Sequence, residues 1–174
     1  MPFLVAIALL CLWGLIAYNS LVRLRNHCDE SWSGIDTELK RRYDLIPNLV
    51  AAVQGYAAHE KEVLEEVVRA RAAAVASTGS PSAQAADENV LIGGLRRLLL
   101  VSENYPVLKA SRNFLALQEE LSNTEDRIQR ARRFYNANVR DLNTRVEVLP
   151  SALVARLSGI GKREYFEIED ALFR

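Results

Sequence analysis

The chain has 174 residues, 22 basic and 22 acidic side chains, and 49% hydrophobic residues with few glycines and prolines. That length allows one modest domain, and the composition favours a helical globular chain over disorder or an all-β sandwich. Zero formal net charge carries no basic signal for nucleic acid. The only cysteines, Cys11 and Cys28, lie in unlike surroundings, which argues against a disulfide framework or a zinc site.

Residues 1–22 contain no charged side chain; every charge lies in residues 23–174. Residues 3–22 are almost continuously apolar, with Asn19 and Ser20 marking the wet end. A helix needs about 20 largely apolar residues to cross a bilayer core. This stretch reaches that length, with Trp13 and Tyr18 placed as interface anchors. It lacks the basic n-region and the A-x-A-like site of a cleaved signal peptide. Leu10 before Cys11, with no positive residue upstream, argues against lipidation. Arg23 and Arg25 follow the span, so the positive-inside rule predicts an outside N-terminus and a cytoplasmic remainder, in the inner membrane.

Apolar residues continue at helical spacing from Leu21 through Leu24, Cys28, Trp32, Ile35 and Leu39 to Tyr43. The seam resumes in phase through Ile46, Val50, Val53, Ala57 and Leu64. Residues 75–88, rich in Ser, Ala, Gly and Pro, read as the clearest loop. A second helical pattern runs from about Asn89 to Glu103, where Gly93 and Gly94 allow close helix approach. Pro106 predicts a break, since the residue before proline avoids the helical region. A third pattern extends from Val107 to Leu149; within it residues 122–125 fit a capping box, either a restart or a coincidence on a continuous helix. Sustained two-residue alternation is absent, so a sheet is not expected.

Pro47 interrupts the first long pattern. An interior proline costs about 3 kcal/mol or more, whereas one in a first helical turn costs almost nothing. Asp44 could cap a helix starting at Leu45, which favours a break. The residues between them are apolar, and the phase is unbroken across them. A kink or near-continuous restart is favoured over a tight hairpin, because sharp kinks usually sit at proline.

The runs from Tyr18 to Val67, from Tyr105 to Thr144, and from Leu149 to Glu167 together resemble the LemA family of bacterial membrane proteins. The most specific residues are Arg41, Arg42, Asp44, Leu45, Ile46, Pro47, Asn48, Leu49 and Val50, with Tyr105-Pro106 and Tyr135-Asn136. The resemblance implies a single-pass protein, N-terminus outside, carrying a cytoplasmic antiparallel helical bundle. It implies no catalytic reaction. The wider group includes a magnetosome protein, which points to membrane organisation.

Catalytic patterns are missing from the sequence. Neither His27 nor His59 has a glutamate three residues before it, as a bundle di-metal site requires. No nucleophile elbow, P-loop or dinucleotide fingerprint occurs. Two charged features remain. One is the run Arg127, Arg130, Arg132, Arg133, Arg140 and Arg145, opposed only by Asp141. It reads first as a solvated helix face, and as a lipid-headgroup contact if that helix returns to the bilayer. The other is the tail around Leu153, Val154, Leu157 and Ile160, with Arg156, Lys162, Arg163 and Phe166. It either caps the bundle or forms an interfacial element. Asn136, Asn138 and Asn143 read as register-fixing polar contacts.

The expectation is an all-α chain: a transmembrane helix at 3–22, an antiparallel bundle of three to four long helices at 23–149, and a tail at 150–174, docked or interfacial. Arg41, Arg42, Asp44, Pro47, Asn48, Tyr135 and Asn136 are the interaction candidates. Arg140, Arg145, Arg156, Lys162 and Arg163 are the lipid-contact candidates. The expected role is a non-catalytic membrane scaffold without a cofactor. Its partners would be the bilayer and itself or other membrane proteins, rather than nucleic acid or a small-molecule substrate. The alternative is a regulator of a membrane protease or kinase.

Overall fold

The computed structural model describes residues 1–169. They form helices α1 (Pro2–Gln54), α2 (Lys61–Ala76), α3 (Pro81–Ser102), α4 (Pro106–Lys109), α5 (Arg112–Glu147) and α6 (Ser151–Leu157). No strand occurs among the described residues. The chain divides into two compact units. One comprises Met1–Ser33 and Arg133–Tyr165; the other comprises Gly34–Arg132 and, of the described tail, residues 166–169.

The first unit opens with the apolar stretch of α1, which is almost wholly exposed. Burial begins at Leu21 and continues at Cys28 and Ser31. From α5 the buried face is Tyr135, Val139 and Leu142. The two segments run antiparallel: Trp32 meets the Tyr135 ring at 5.1 Å, and one to two turns further on Asn138 donates to the His27 carbonyl at 3.4 Å. Beyond α5, Ser151 Oγ lies 2.8 Å from both the Arg145 and the Val148 carbonyls and donates to them, closing the turn into α6. Helix α6 ends in a Schellman cap. Ile160 N–H donates to the Ala155 carbonyl at 3.0 Å and Gly159 N–H to the Arg156 carbonyl at 3.3 Å. Gly159 takes the left-handed conformation this requires, with φ of 68°.

In the second unit, α2 and α3 pack antiparallel, joined by residues 77–80. Val67 lies against Gly94 and Arg97 pairs with Glu66, so numbers rise on one helix as they fall on the other. A Cβ at Gly94 would stand 3.4 Å from the Val67 side chain, so this glycine marks the close approach; Gly93 faces open space. The core adds Ile35, Leu39, Ile46 and Val53 of α1, and Leu91, Leu95 and Leu98 of α3. Phe114, Leu121 and Ile128 of α5 complete it, and Phe166 and Ile168 of the returning tail are buried as well.

Two boundaries differ from those read in the sequence. The expected seam through Ala57 breaks at Gly55, because α1 ends at Gln54; Ala57 stays buried inside the turn. Helix α3 starts eight residues early, at Pro81 rather than near Asn89. Ser80 caps it by accepting from Ala83 N–H, and Pro81 occupies the first position, where its missing amide costs nothing. Residues 122–125 sit inside continuous helix: Thr124 Oγ1 donates to the Glu120 carbonyl, so the box there is coincidental.

Pro47 lies inside α1 without ending it. Proline cannot supply the amide that would bond the carbonyl four residues back, here that of Tyr43. Arg71 of α2 supplies a substitute: its Nε donates to the Tyr43 carbonyl at 2.7 Å. The helix therefore crosses its proline because a neighbouring helix satisfies the orphaned acceptor. Arg71→Met, which keeps the apolar stem, should destabilise the chain by about 0.5–1.5 kcal/mol, the net worth of a hydrogen bond to a half-buried carbonyl. In a Pro47→Ala background, where the restored amide bonds Tyr43, the same substitution should cost little. Denaturant unfolding of the four proteins tests this; strictly additive costs would disprove the substitution of donors.

Candidate functional site

The polar centre of the second unit is built on Arg42, whose side chain is 0% exposed. It sits on the buried stripe of α1 between Leu39 and Ile46. One terminal nitrogen pairs with Glu88 of α3, and the other donates to Glu125 of α5 at 2.8 Å. The Tyr43 hydroxyl donates to the second oxygen of Glu88 and lies 3.4 Å from the Ala74 carbonyl of α2. Four helices thus meet through one guanidinium and one phenol. Arg42 Nε has no acceptor among the described residues, so the cluster is closed but not fully satisfied.

Burial opposes charge on Arg42, but the Glu125 and Glu88 carboxylates overcome this and hold its pKa above that of a free guanidinium. Burial pushes the Glu88 carboxyl upward; Arg42 and the Tyr43 hydroxyl pull it back only in part. The Tyr43 phenol is also pushed up, first by burial and then by Glu88. Two carboxylates thus share one arginine. Enclosed on all sides, these groups bond one another rather than a cleft. Among the described residues, no group of three His, Cys, Asp or Glu side chains gathers as metal ligands.

The first unit has its own polar cluster, where the tail passes α5. The Tyr135 hydroxyl donates to the Glu164 carbonyl at 2.9 Å, and burial pushes that phenol up to about 12. The Asn143 amide makes two bonds to the Arg163 backbone, both 2.9 Å, matching one donor and one acceptor as a strand partner would. Arg163 pairs with Asp29 at 2.6 Å, and Lys162 pairs with Glu147. Tyr135 and Asn143 therefore hold the tail.

The sequence candidates separate accordingly. Arg42 and Tyr135 are buried, each at the centre of its own unit's polar cluster. Arg41 stays half-exposed beside Glu38 at 3.5 Å, and Asn136 is half-buried. Asp44, Pro47 and Asn48 are exposed on α1, and Asp44 caps nothing, since the helix runs through it. Of the basic candidates, Lys162 and Arg163 are engaged by carboxylates, and Arg140 lies 4.0 Å from Asp141. Arg145 and Arg156 are exposed and make no ion pair among the described residues. Sequence reasoning missed Glu88, Glu125 and Arg71. The available signal was charge on an apolar stripe: Glu88 falls between Ala85 and Leu91, Glu125 between Leu121 and Ile128.

Arg42→Met alone strands two buried carboxylates and should cost about 3–5 kcal/mol. Adding Tyr43→Phe, Glu88→Leu and Glu125→Leu should recover most of that loss, because apolar replacements of buried ionic clusters are often neutral or better. Urea unfolding in detergent distinguishes the two; a multiple variant as unstable as the single one would contradict the assignment. The raised Glu88 carboxyl also fixes a sign. The folded chain holds that proton where the unfolded chain has lost it, so its contribution to stability is greatest below about pH 4.3. That contribution declines as pH rises through the raised value. Wild-type stability should fall across this window more than that of Glu88→Gln; parallel profiles would contradict it.

The LemA family profile matches residues 31–173. Magnetosome proteins MamQ 2 and MamQ 1 of Paramagnetospirillum magneticum (strain AMB-1) are each 25% identical to the chain over 182 residues, covering 90% of it and 67% of their own length. Magnetosome protein MamQ of Magnetospirillum gryphiswaldense (strain MSR-1) is 24% identical over the same shares. With a family match over most of its length and an N-terminal helix long and apolar enough to cross a bilayer, the chain belongs to the LemA family as a helical, membrane-associated member.

Proposed function

We propose that this protein is a non-catalytic scaffold of the cytoplasmic membrane, with its N-terminus outside and its packed helices in the cytoplasm. It would organise the membrane by associating with copies of itself or with other membrane proteins. The observation that carries this reading is α1. One helix of 53 residues begins as an exposed apolar segment and continues as a buried seam, so anchor and core share an element. The exposed Arg23 and Arg25 at the end of the apolar stretch support the orientation. The mutual pairing of Arg42, Glu88, Glu125 and Tyr43 supports a structural use of the polar groups rather than a catalytic one. The likeness to proteins named for the magnetosome supports a place in membrane organisation.

The test uses a single cysteine at Ser80, exposed between α2 and α3, with Cys11→Ala and Cys28→Ser. A membrane-impermeant maleimide should label it only after permeabilisation of spheroplasts; labelling of intact spheroplasts would reverse the topology. Purified in lipid nanodiscs, the chain should form discrete oligomers by mass measurement. A monomer carrying one stoichiometric enzyme would instead make it a regulator.

A further inference from the structure

The turn joining α5 to α6 reaches the apolar stretch of α1. A groove there has Trp13, Ile16 and Ser20 on one wall and Arg145, Leu149 and Ser151 on the other. Ser20 stands where the apolar run meets its first polar residues. Trp13 lies seven residues earlier, about 10 Å along the axis at 1.5 Å per residue. The turn is therefore level with the last two helical turns of the candidate span. An interfacial element buries its apolar face about 5–10 Å into the headgroup boundary, a depth of the same size.

The side chains around this turn are sorted to match. Ser151, Ala152 and Ala155 of α6 face inward and are buried. Leu153 and Leu157, one helical turn apart, face outward at 56% and 90% exposure. Val148 and Leu149 precede them at 52% and 70%. After Leu157 the Gly159 cap reverses the chain and Ile160 is buried again, so this run of exposed apolar side chains ends at Leu157. Beside it stand Arg145 and Arg156, two exposed cations that no carboxylate engages among the described residues. Apolar groups at the tip and unpaired cations at the rim are the arrangement of an element lying in an anionic membrane surface.

We infer that the α5–α6 corner is a second membrane contact. Val148, Leu149, Leu153 and Leu157 enter the acyl region of the leaflet in which the apolar stretch of α1 ends, and Arg145 and Arg156 lie at its headgroup phosphates. The inference rests on the reading of α1 as a span. Continuity selects lipid over protein as the occupant, because the corner adjoins the exposed apolar helix surface that lipid covers once α1 spans the bilayer. A protein covering Leu149 would itself have to enter the membrane.

The experiment places single cysteines at Leu157, at Leu153, at Ile7 within the span and at Ser80, in the full chain with Cys11→Ala and Cys28→Ser. Each is labelled with an environment-sensitive fluorophore and reconstituted in phosphatidylglycerol–phosphatidylcholine vesicles. Leu157 and Leu153 are exposed, so a label there displaces no packing, and circular dichroism checks the fold. Lipids spin-labelled on the acyl chain should quench the Leu157 and Leu153 probes at least about threefold more than the Ser80 probe, as an embedded interfacial face requires. Water-exposed, unquenched probes at both leucines, with Ile7 quenched, would overturn the corner contact and leave the span standing. An unquenched Ile7 probe would remove the span itself. Probes shielded from water but not quenched by lipid, and released by dilution with excess lipid, would assign the corner to a second copy of the chain and overturn the proposal.

Discussion

The helix register of the second unit depends on a charge that cannot be discharged. Arg42 keeps its proton at any ordinary pH, and its side chain is fully buried. Its carboxylates come from two other helices, Glu88 on α3 and Glu125 on α5. Sliding either helix by one residue moves its carboxylate 1.5 Å along the axis and about 100° around it. Apolar stripes alone tolerate a slip of a turn or a heptad, since one leucine replaces another. A buried guanidinium tolerates none, because a slipped partner leaves an uncompensated charge in a dry core. The apolar side chains hold the helices together; the ionic cluster decides which arrangement they hold.

The same logic operates one turn further along α1. Pro47 orphans the Tyr43 carbonyl, and Arg71 reaches from α2 to bond it. Tyr43 is the residue whose side chain bonds Glu88. Its two polar ends are therefore satisfied by α2 and α3, neither adjacent to it in sequence. The proline ties α1 to a specific neighbour, since the helix is fully bonded there only when α2 is docked. A regular helix would carry no such dependence.

Much of this arrangement is legible in the sequence. The helical period and the burial of Tyr135 follow from spacing, because a 3.6-residue period reports the buried face wherever it is apolar; the break follows from Pro106 and the span from its length and lack of charge. The failures share one cause. Residues 80–88 read as loop because Ser, Pro and Gly are turn formers; Ser80 and Pro81 in fact begin a helix, and Glu88 was lost with that segment. Glu125 was read as part of a capping box, a local use, when its partner lies 83 residues away. Arg71 had no local role to suggest. A polar side chain's partner is fixed by tertiary approach, and periodicity carries no information about which helix supplies it. Arg42, by contrast, stands out through motif likeness, and its place between Leu39 and Ile46 on a buried stripe demands carboxylate partners.

Periodicity also cannot distinguish a side chain buried in protein from one exposed to lipid. Along α1 the apolar residues before Leu21 are exposed and those of the seam from Leu21 onward are buried, with little change in residue type. At α6 the two situations alternate within seven residues: Ala152 and Ala155 pack inward while Leu153 and Leu157 stand out. Within α6 size tells them apart where hydrophobicity does not. Small residues lie where the backbone approaches its neighbour, and large ones lie where no protein covers them. A short water-facing helix gains nothing from leucine at its most exposed positions. Beside a stretch of α1 that is itself uncovered and apolar, those leucines extend one continuous surface. That surface makes chemical sense in a solvent of acyl chains.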